Sequence, residues 1–220
     1  MLATPARRER TRNIIIGPVG LEGMLALPAA SAGIVLFAHG SGSGRFSPRN
    51  NFVARALRDA GFATLLFDLL TDDEAADRRN VFDIPLLAER LLMATAWAKE
   101  DGETATLPIG YFGASTGAAA ALVAAASTAW PIAAIVSRGG RPDLAGSALA
   151  KVSAPTLLIV GGADLVVLDL NRLALAELRC EKHLAIVPNA THLFEEPGTL
   201  EAVVDLAGSW FASHLPDSAE

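Results

Sequence analysis

The stretch Leu107-Pro-Ile-Gly-Tyr-Phe-Gly-Ala-Ser-Thr-Gly-Ala-Ala-Ala-Ala-Leu-Val-Ala-Ala-Ala-Ser127 contains an apolar run, a small-residue segment and an alanine-rich run in direct succession. The apolar run, residues 107–112, is short and follows a polar segment, which predicts a buried strand. The run 116–126 is almost all alanine and predicts a tightly packed helix. The chain is therefore expected to turn sharply from a strand into a helix.

The turn itself has the sequence Gly113-Ala-Ser-Thr-Gly117, a complete G-x-S-x-G motif. Such a turn needs small residues, because a bulky side chain at either glycine would collide with its neighbours. It holds the serine in a strained conformation, with its hydroxyl above the sheet and the next N–H at a positively polarised helix N-terminus. We interpret Ser115 as a candidate nucleophile; the alternative is a glycine-rich turn with an idle serine.

Strand and helix patterns alternate on both sides of this stretch. Further apolar strand-like runs occupy residues 33–38, 62–68, 131–136, 155–160 and 182–187, and helical patterns occupy residues 48–60, 82–100, 167–180 and 198–214. Two earlier runs, 12–20 and 21–28, predict an antiparallel hairpin. Continuous apolar strands between helices predict an α/β fold with a mostly parallel sheet covered on both faces. We expect a single domain over residues 12–220, after a flexible tail of residues 1–11.

Composition narrows the class of protein. The chain has 220 residues, of which 51% are hydrophobic, and a net charge of −6, which argues against nucleic-acid binding. Its apolar runs are broken well before the length of a membrane span, and no apolar segment follows the N-terminal arginines as it would in a secretory signal. One cysteine, Cys180, cannot form an internal disulfide, so we expect a reducing cytoplasm. No metal cluster or cofactor motif is evident, and we expect no cofactor, nucleic-acid partner or membrane contact.

Three polar residues follow predicted strands in an informative order. Ser115, Asp164 and His192 each come just after a strand, and the carboxyl ends of parallel strands carry the ligand sites of such sheets. A serine hydroxyl needs a nearby base, and the base needs an orienting carboxylate. The order Ser, Asp, His is the one expected of an α/β-hydrolase. Asp169 is a rival to Asp164, but it falls inside the next helical pattern.

Other interpretations of these residues remain open at this stage. Asp164 could instead cap a helix, and His192 could be a loop histidine bonded to the nearby Glu195 or Glu196. Arg138 and Arg141 follow another strand, so either could bind a substrate carboxylate or phosphate; the alternative, which we favour, is an internal ion pair.

Two loops around the expected site are also ambiguous. His39 lies early in the chain and is interpreted as shaping its glycine-rich loop. Arg45 and Arg49 share the ambiguity of the other two arginines. The charged segment 69–81 could border a pocket, although a solvated loop is the interpretation that we favour.

The chain as a whole, roughly residues 12 to 215, resembles an α/β-hydrolase of the dienelactone hydrolase-like group. The resemblance lies in His39-Gly-Ser-Gly-Ser-Gly-Arg45, Gly113-Ala-Ser-Thr-Gly117, Gly161-Gly-Ala-Asp164 and Ala190-Thr-His-Leu-Phe-Glu-Glu-Pro-Gly198. It implies that Ser115 attacks an acyl carbon, that His192 transfers the proton and that Asp164 orients His192. The N–H groups of Thr116 and Ser41 would bind the oxyanion. Dienelactone hydrolases proper use a cysteine where this chain has Ser115, so serine esterase activity is expected rather than lactone hydrolysis.

The expected substrate follows from the length of one connection. Only about 18 residues separate the strand ending at Val136 from the strand beginning at Pro155, which leaves no room for a sizeable cap. We therefore expect an open site for small carboxylic esters. A thioesterase, peptidase or acyltransferase with the same triad is an alternative, as is a non-catalytic protein that binds a small ligand. The sequence leaves the acyl preference and the oligomeric state open.

Overall fold

The computed structural model describes residues 9–215, which form one eight-stranded sheet with helices on both faces. The strands are β1 (Arg10–Ile16), β2 (Leu21–Leu27), β3 (Ile34–Ala38), β4 (Ala63–Phe67), β5 (Ile109–Ala114), β6 (Ile132–Arg138), β7 (Thr156–Gly161) and β8 (Lys182–Val187). The helices are α1 (Pro48–Asp59), α2 (Asp72–Ala76), α3 (Ile84–Glu100), α4 (Thr116–Ser127), α5 (Leu165–Glu177) and α6 (Thr199–His214). Short 3₁₀ segments cover Asn80–Phe82 and Pro142–Lys151.

The strands lie in the order β1-β2-β4-β3-β5-β6-β7-β8. From β4 to β8 every neighbouring pair is parallel, whereas β1 pairs with β2, and β2 with β4, in the antiparallel sense. This confirms the predicted fold class, including the N-terminal hairpin. The hairpin begins earlier than predicted, because Arg10 and Thr11 of the expected tail belong to β1. The remainder of that tail, residues 1–8, lies outside the described residues.

Each face of the sheet carries its own hydrophobic core. Leu36 and Tyr111 point to the face covered by α3 and α4, and Phe37 and Phe112 point to the face covered by α1 and α6. The alternation follows from the two-residue period of a strand and explains why these strands are apolar throughout. Burying the Tyr111 hydroxyl is tolerated because it forms a 2.6 Å hydrogen bond with the Thr95 hydroxyl.

The parallel strands bring the loops of interest to one edge of the sheet. Ser115, Arg138, Asp164 and His192 lie at or after the carboxyl ends of β5, β6, β7 and β8 respectively. The connection from β6 to β7 is only the 3₁₀ segment and its flanking turns, so within residues 9–215 this connection carries no cap. Among the described residues, no helix is both long enough and apolar enough to cross a membrane.

Candidate active site

Ser115 occupies a strained turn between β5 and α4. Its backbone has φ 51° and ψ −122°, a conformation that non-glycine residues rarely adopt. The flanking glycines allow this turn, because a Cβ on Gly113 would lie 2.5 Å from the Ala118 Cα and one on Gly117 would lie 2.1 Å from the Ala38 carbonyl oxygen. The contacts agree with the expectation that only small residues fit the G-x-S-x-G turn.

Replacing Gly117 tests this packing. We expect Gly117→Ala to lower the free energy of unfolding by about 1–3 kcal/mol, because the atoms in its way are backbone oxygens that cannot rotate aside. The measurement is the urea midpoint of unfolding. Gly208→Ala is the matched control, since nothing lies within 4 Å of a Cβ there and alanine favours the α6 helix. A Gly117→Ala protein as stable as the wild type would contradict the close approach.

Two backbone N–H groups beside Ser115 are suitable oxyanion donors. A Cβ on Gly40 would lie 2.9 Å from the Ser115 Cβ, so the glycine-rich loop after β3 runs directly against the serine. Thr116 is the first residue of α4, where the helix dipole concentrates positive potential. Within residues 9–215, neither the Thr116 N–H nor the Ser41 N–H donates a hydrogen bond. Both are therefore free to bind a developing oxyanion, and their role as oxyanion donors stays a prediction.

His39 holds the glycine-rich loop against the end of β4. Its Nε2 accepts a 3.0 Å hydrogen bond from the Leu69 N–H, and its Nδ1 lies 2.9 Å from the Gly40 carbonyl oxygen. Burial lowers the pKa of this imidazole, which favours the neutral ring. Because both nitrogens are engaged, His39 cannot serve as the base, and its position agrees with the loop-shaping role expected from the sequence.

His192 and Asp164 form a direct pair. The His192 Nδ1 lies 2.7 Å from an Asp164 carboxylate oxygen, which favours the tautomer with the proton on Nδ1 and leaves Nε2 as an acceptor. Asp164 occupies the N-cap position of α5, but its side chain forms no capping hydrogen bond. The alternative partners of His192 are engaged elsewhere, since Glu196 accepts from Thr191 and Glu195 pairs with Arg49.

Ser115 and His192 both lie against the turn after β6. The Ser115 N–H donates to the Arg138 carbonyl oxygen at 3.4 Å, and a Cβ on the following Gly139 would lie 3.7 Å from the His192 Cε1. Across the described chain, no hydrogen bond joins the Ser115 hydroxyl to His192. Contacts between a nucleophile and its base are often long in free enzymes and tighten when substrate binds.

The two arginines after β6 differ in their surroundings. Arg141 donates two 2.8 Å hydrogen bonds to the Asp143 carboxylate, which is the internal ion pair considered above. Arg138 is only 8% exposed, and no hydrogen bond or ion pair satisfies its guanidinium within residues 9–215. The favoured interpretation of Arg138 as half of an internal pair therefore fails among the described residues.

A cavity of about 520 Å³ opens beside the Ser41–Arg45 loop and Thr116. Its wall includes Leu70, Thr71, Asp72, Ala75 and Val81, which all belong to the charged segment 69–81. The favoured interpretation of that segment as a solvated loop was therefore wrong in this respect. The spaced apolar residues within the charged run were the available signal.

Charged residues brace this cavity. The Arg45 N–H donates a 2.7 Å hydrogen bond to Asp68, and the Arg45 guanidinium bridges Asp68 and Glu22. This network explains Arg45 as an internally paired residue and fixes the end of the glycine-rich loop. The sequence did not identify Asp68 or Glu22, because their meeting depends on the pairing of β2 with β4.

Comparison with known proteins then decides the family. The model of the dienelactone hydrolase family matches residues 21–207. The chain belongs to the dienelactone hydrolase family. A crystal structure of dienelactone hydrolase from Anabaena variabilis ATCC 29413 is 55% identical, covers 94% of this chain and 98% of its own, and superimposes with a TM-score of 0.90.

One distant structure bears on the fold, and two longer relatives bear on the length of the chain. Est1E from Butyrivibrio proteoclasticus is 16% identical, with a TM-score of 0.78 over 92% of this chain and 98% of its own, and shows the shared α/β-hydrolase fold. Two Mycobacterium tuberculosis proteins, provisionally named phosphoribosyl transferases, are 59% identical over 213 residues. That match covers 97% of this chain but 48% of each relative, so this dienelactone hydrolase family member spans about half their length.

Proposed function

We propose that this member of the dienelactone hydrolase family is a serine hydrolase that cleaves small carboxylic esters through an acyl-enzyme. The observation that supports this most directly is the 2.7 Å Asp164–His192 hydrogen bond at the same sheet edge as Ser115 in its strained turn. A carboxylate, an imidazole and a hydroxyl in these relative positions form a nucleophile, a base and an orienting group.

The proposed reaction has two steps. Ser115 Oγ attacks the acyl carbon while His192 Nε2 takes the hydroxyl proton, and the tetrahedral oxyanion accepts hydrogen bonds from the Thr116 and Ser41 N–H groups. His192 then returns the proton to the leaving alcohol, and water hydrolyses the acyl-enzyme by the same route. Asp164 stabilises the imidazolium at each stage, and each oxyanion donor contributes about 3–4 kcal/mol to lowering the barrier.

The size of the cavity beside Thr116 supports a substrate with a small, neutral group on that side of the scissile bond. The lining of the cavity of about 520 Å³ beside Thr116 includes the apolar side chains of Leu70, Val81 and Leu87. A short acyl chain or one aromatic ring matches its size. The partner of the protein would thus be a small-molecule ester. Cys180 is a free thiol, in keeping with a reducing compartment, and we propose the cytoplasm.

The alternatives share the site and differ in the chemistry of the leaving group or acceptor. A thioesterase, peptidase or acyltransferase would use the same three side chains. The name phosphoribosyl transferase is given to the whole M. tuberculosis proteins, of which this chain matches 48%. Our proposal concerns this chain alone. A small-ligand-binding protein without catalysis would not need the strain at Ser115 or the Asp164–His192 bond.

Hydrolysis of p-nitrophenyl esters from acetate to decanoate tests the proposal, together with covalent labelling by a fluorophosphonate. We expect turnover of the short-chain esters, a decline with chain length, and labelling at Ser115. An activated serine reacts with both reagents, whereas an idle serine reacts with neither. A protein that neither labels nor hydrolyses any ester of the series would contradict the proposed function and favour the binding protein.

A further inference from the structure

Arg138 is a buried cation that forms no hydrogen bond or ion pair within residues 9–215. The residue is 8% exposed, and its Nε and Nη1 are buried without a hydrogen bond among the described residues. The structure treats another buried arginine differently, since Arg90, 6% exposed, forms an ion pair with Glu74. Buried charges in proteins are normally paired, because an unpaired one loses its hydration without compensation. The Phe194 ring lies 5.9 Å from the Arg138 guanidinium but accepts none of these hydrogen bonds, so an anion would supply the acceptors that Arg138 lacks among the described residues.

A second arginine adds to the positive charge around Arg138. Arg49, at the start of α1, lies close enough to repel Arg138, and burial together with this repulsion lowers the pKa of Arg138 to about 10. The Arg49 Nε is also buried without a hydrogen bond, while its Nη1 pairs with Glu195 at 3.2 Å. The Arg49 side chain is 34% exposed, so the pair is reachable from solvent on that side. Two neighbouring guanidinium groups with unused N–H donors suit one oxyanion.

The arginine pair lies beside the proposed nucleophile. The Arg138 carbonyl accepts from the Ser115 N–H, and the Arg138 guanidinium lies 5.9 Å from the ring of Phe194, two residues after His192. Glu195, the partner of Arg49, belongs to the same loop. The pair is thus enclosed by the end of β6, the start of α1 and the loop that carries the proposed base.

This position is separate from the cavity described above. Arg138 continues the alternation of Ala134 and Val136, which face α1 and α6. The cavity is instead lined by Leu70 and Leu87, which belong to the core on the opposite face. Ser115 therefore stands between the cavity, on the side of Leu70 and Leu87, and the two arginines, on the side of α1 and α6.

We propose that Arg138 and Arg49 form a subsite for an oxyanion group, a carboxylate or a phosphate, carried by the substrate of Ser115. This inference rests on the proposed function and narrows its substrate class to esters with an anionic group on one side of the scissile bond. The bound anionic group would take no part in the covalent steps of the reaction. It would accept hydrogen bonds from both guanidinium groups and place the acyl carbon against Ser115.

The kinetic experiment compares matched esters. p-Nitrophenyl hydrogen glutarate carries a carboxylate, p-nitrophenyl γ-phosphonobutyrate carries a phosphonate as the phosphate arm, and p-nitrophenyl pentanoate is neutral. We expect the wild type to hydrolyse at least one anionic ester with a higher kcat/KM than the neutral ester. Arg138→Met should lower the ratio of these two kcat/KM values by about 10–100-fold, mainly by raising the KM of the anionic ester. Which anionic ester responds identifies the oxyanion. Arg172→Met removes an exposed arginine, paired with Asp169 on α5, and should leave the ratio unchanged.

A binding measurement keeps the inference testable without catalysis. Glutarate and methylphosphonate are added to the wild type and to Arg138→Met, and the Tm is recorded. We expect at least one of them to raise the Tm of the wild type and not that of the variant, because a ligand stabilises only the state that binds it.

The two measurements separate the possible failures. An inert wild type would count against the proposed function, and the Tm shift would still decide the subsite. A wild type that shows neither a preference for anionic esters nor a Tm shift would overturn the subsite. An ion pair between Glu195 and Arg138 in solution would give this result. Should Arg138→Met fail to fold, the wild-type preference and Tm shift, and their loss in Arg49→Met, decide the matter.

Discussion

Ser115→Ala is expected to lower kcat for p-nitrophenyl acetate by about 10⁴–10⁶-fold, since the variant lacks the atom that forms the acyl-enzyme. The rate that remains would come from the oxyanion donors and from substrate binding, which the substitution leaves in place. KM should change little, because the hydroxyl contributes to the transition state rather than to ground-state binding. Steady-state kinetics of both proteins, with fluorophosphonate labelling followed by mass spectrometry, provide the measurement.

A second substitution at this position separates chemistry from stability. Alanine keeps the unfavourable backbone of φ 51° and ψ −122°, whereas glycine adopts positive φ without a steric cost. Ser115→Gly should therefore be as inactive as Ser115→Ala but should have a higher free energy of unfolding. Relief of the backbone strain contributes about 1–3 kcal/mol, from which the entropic cost of ordering a glycine is subtracted. If Ser115→Ala retained more than a small fraction of the activity, another residue would have to be the nucleophile and the mechanism would fail.

His192→Ala should have an effect of similar size, about 10⁴–10⁶-fold in kcat, because a serine hydroxyl is a weak nucleophile without a base. The imidazole is 40% exposed, so its removal should cost little packing, and the urea midpoint should stay near that of the wild type. His39 cannot replace it, since both of its ring nitrogens are engaged in the buried loop.

Two companion variants sharpen this result. Asp164→Asn preserves the shape of the orienting residue but can favour the wrong tautomer of His192, and we expect a loss of about 10⁴-fold. His183→Ala removes an exposed histidine of β8 and should be as active as the wild type. An active His192→Ala protein, or an Asp164→Asn protein with normal kcat, would remove the basis of the triad.

The fold was predictable from local patterns because its strands and helices each carry a strong periodic signal. The apolar run before Ser115 became β5, the alanine-rich run became α4, and their order along the chain gave a parallel sheet. Errors were confined to boundaries and loops. The start of β1 at Arg10 was missed because its arginines look like a solvated tail, yet they pair with Asp101 and Glu103 from a distant turn.

The triad candidates were also accessible from the sequence. Ser115, Asp164 and His192 each follow a strand, and parallel strands deliver their carboxyl ends to one edge whatever the details of packing. The 2.7 Å contact of Asp164 with His192, rather than with Glu195 or Glu196, required the structure, because all three acids lie within reach of a loop histidine on sequence grounds.

The sequence by itself determined the α/β class, the glycine-bounded serine turn and the order of the candidate catalytic residues, since these depend on local sterics and on chain order. Only the tertiary structure decided which charges are paired. Arg138 and Arg141 are equivalent in the sequence, yet the side chain of Arg141 meets Asp143, whereas Arg138 is buried and meets no acid among the described residues. Pairing depends on the direction of each side chain and on neighbours from distant elements, and no local pattern in the chain encodes either.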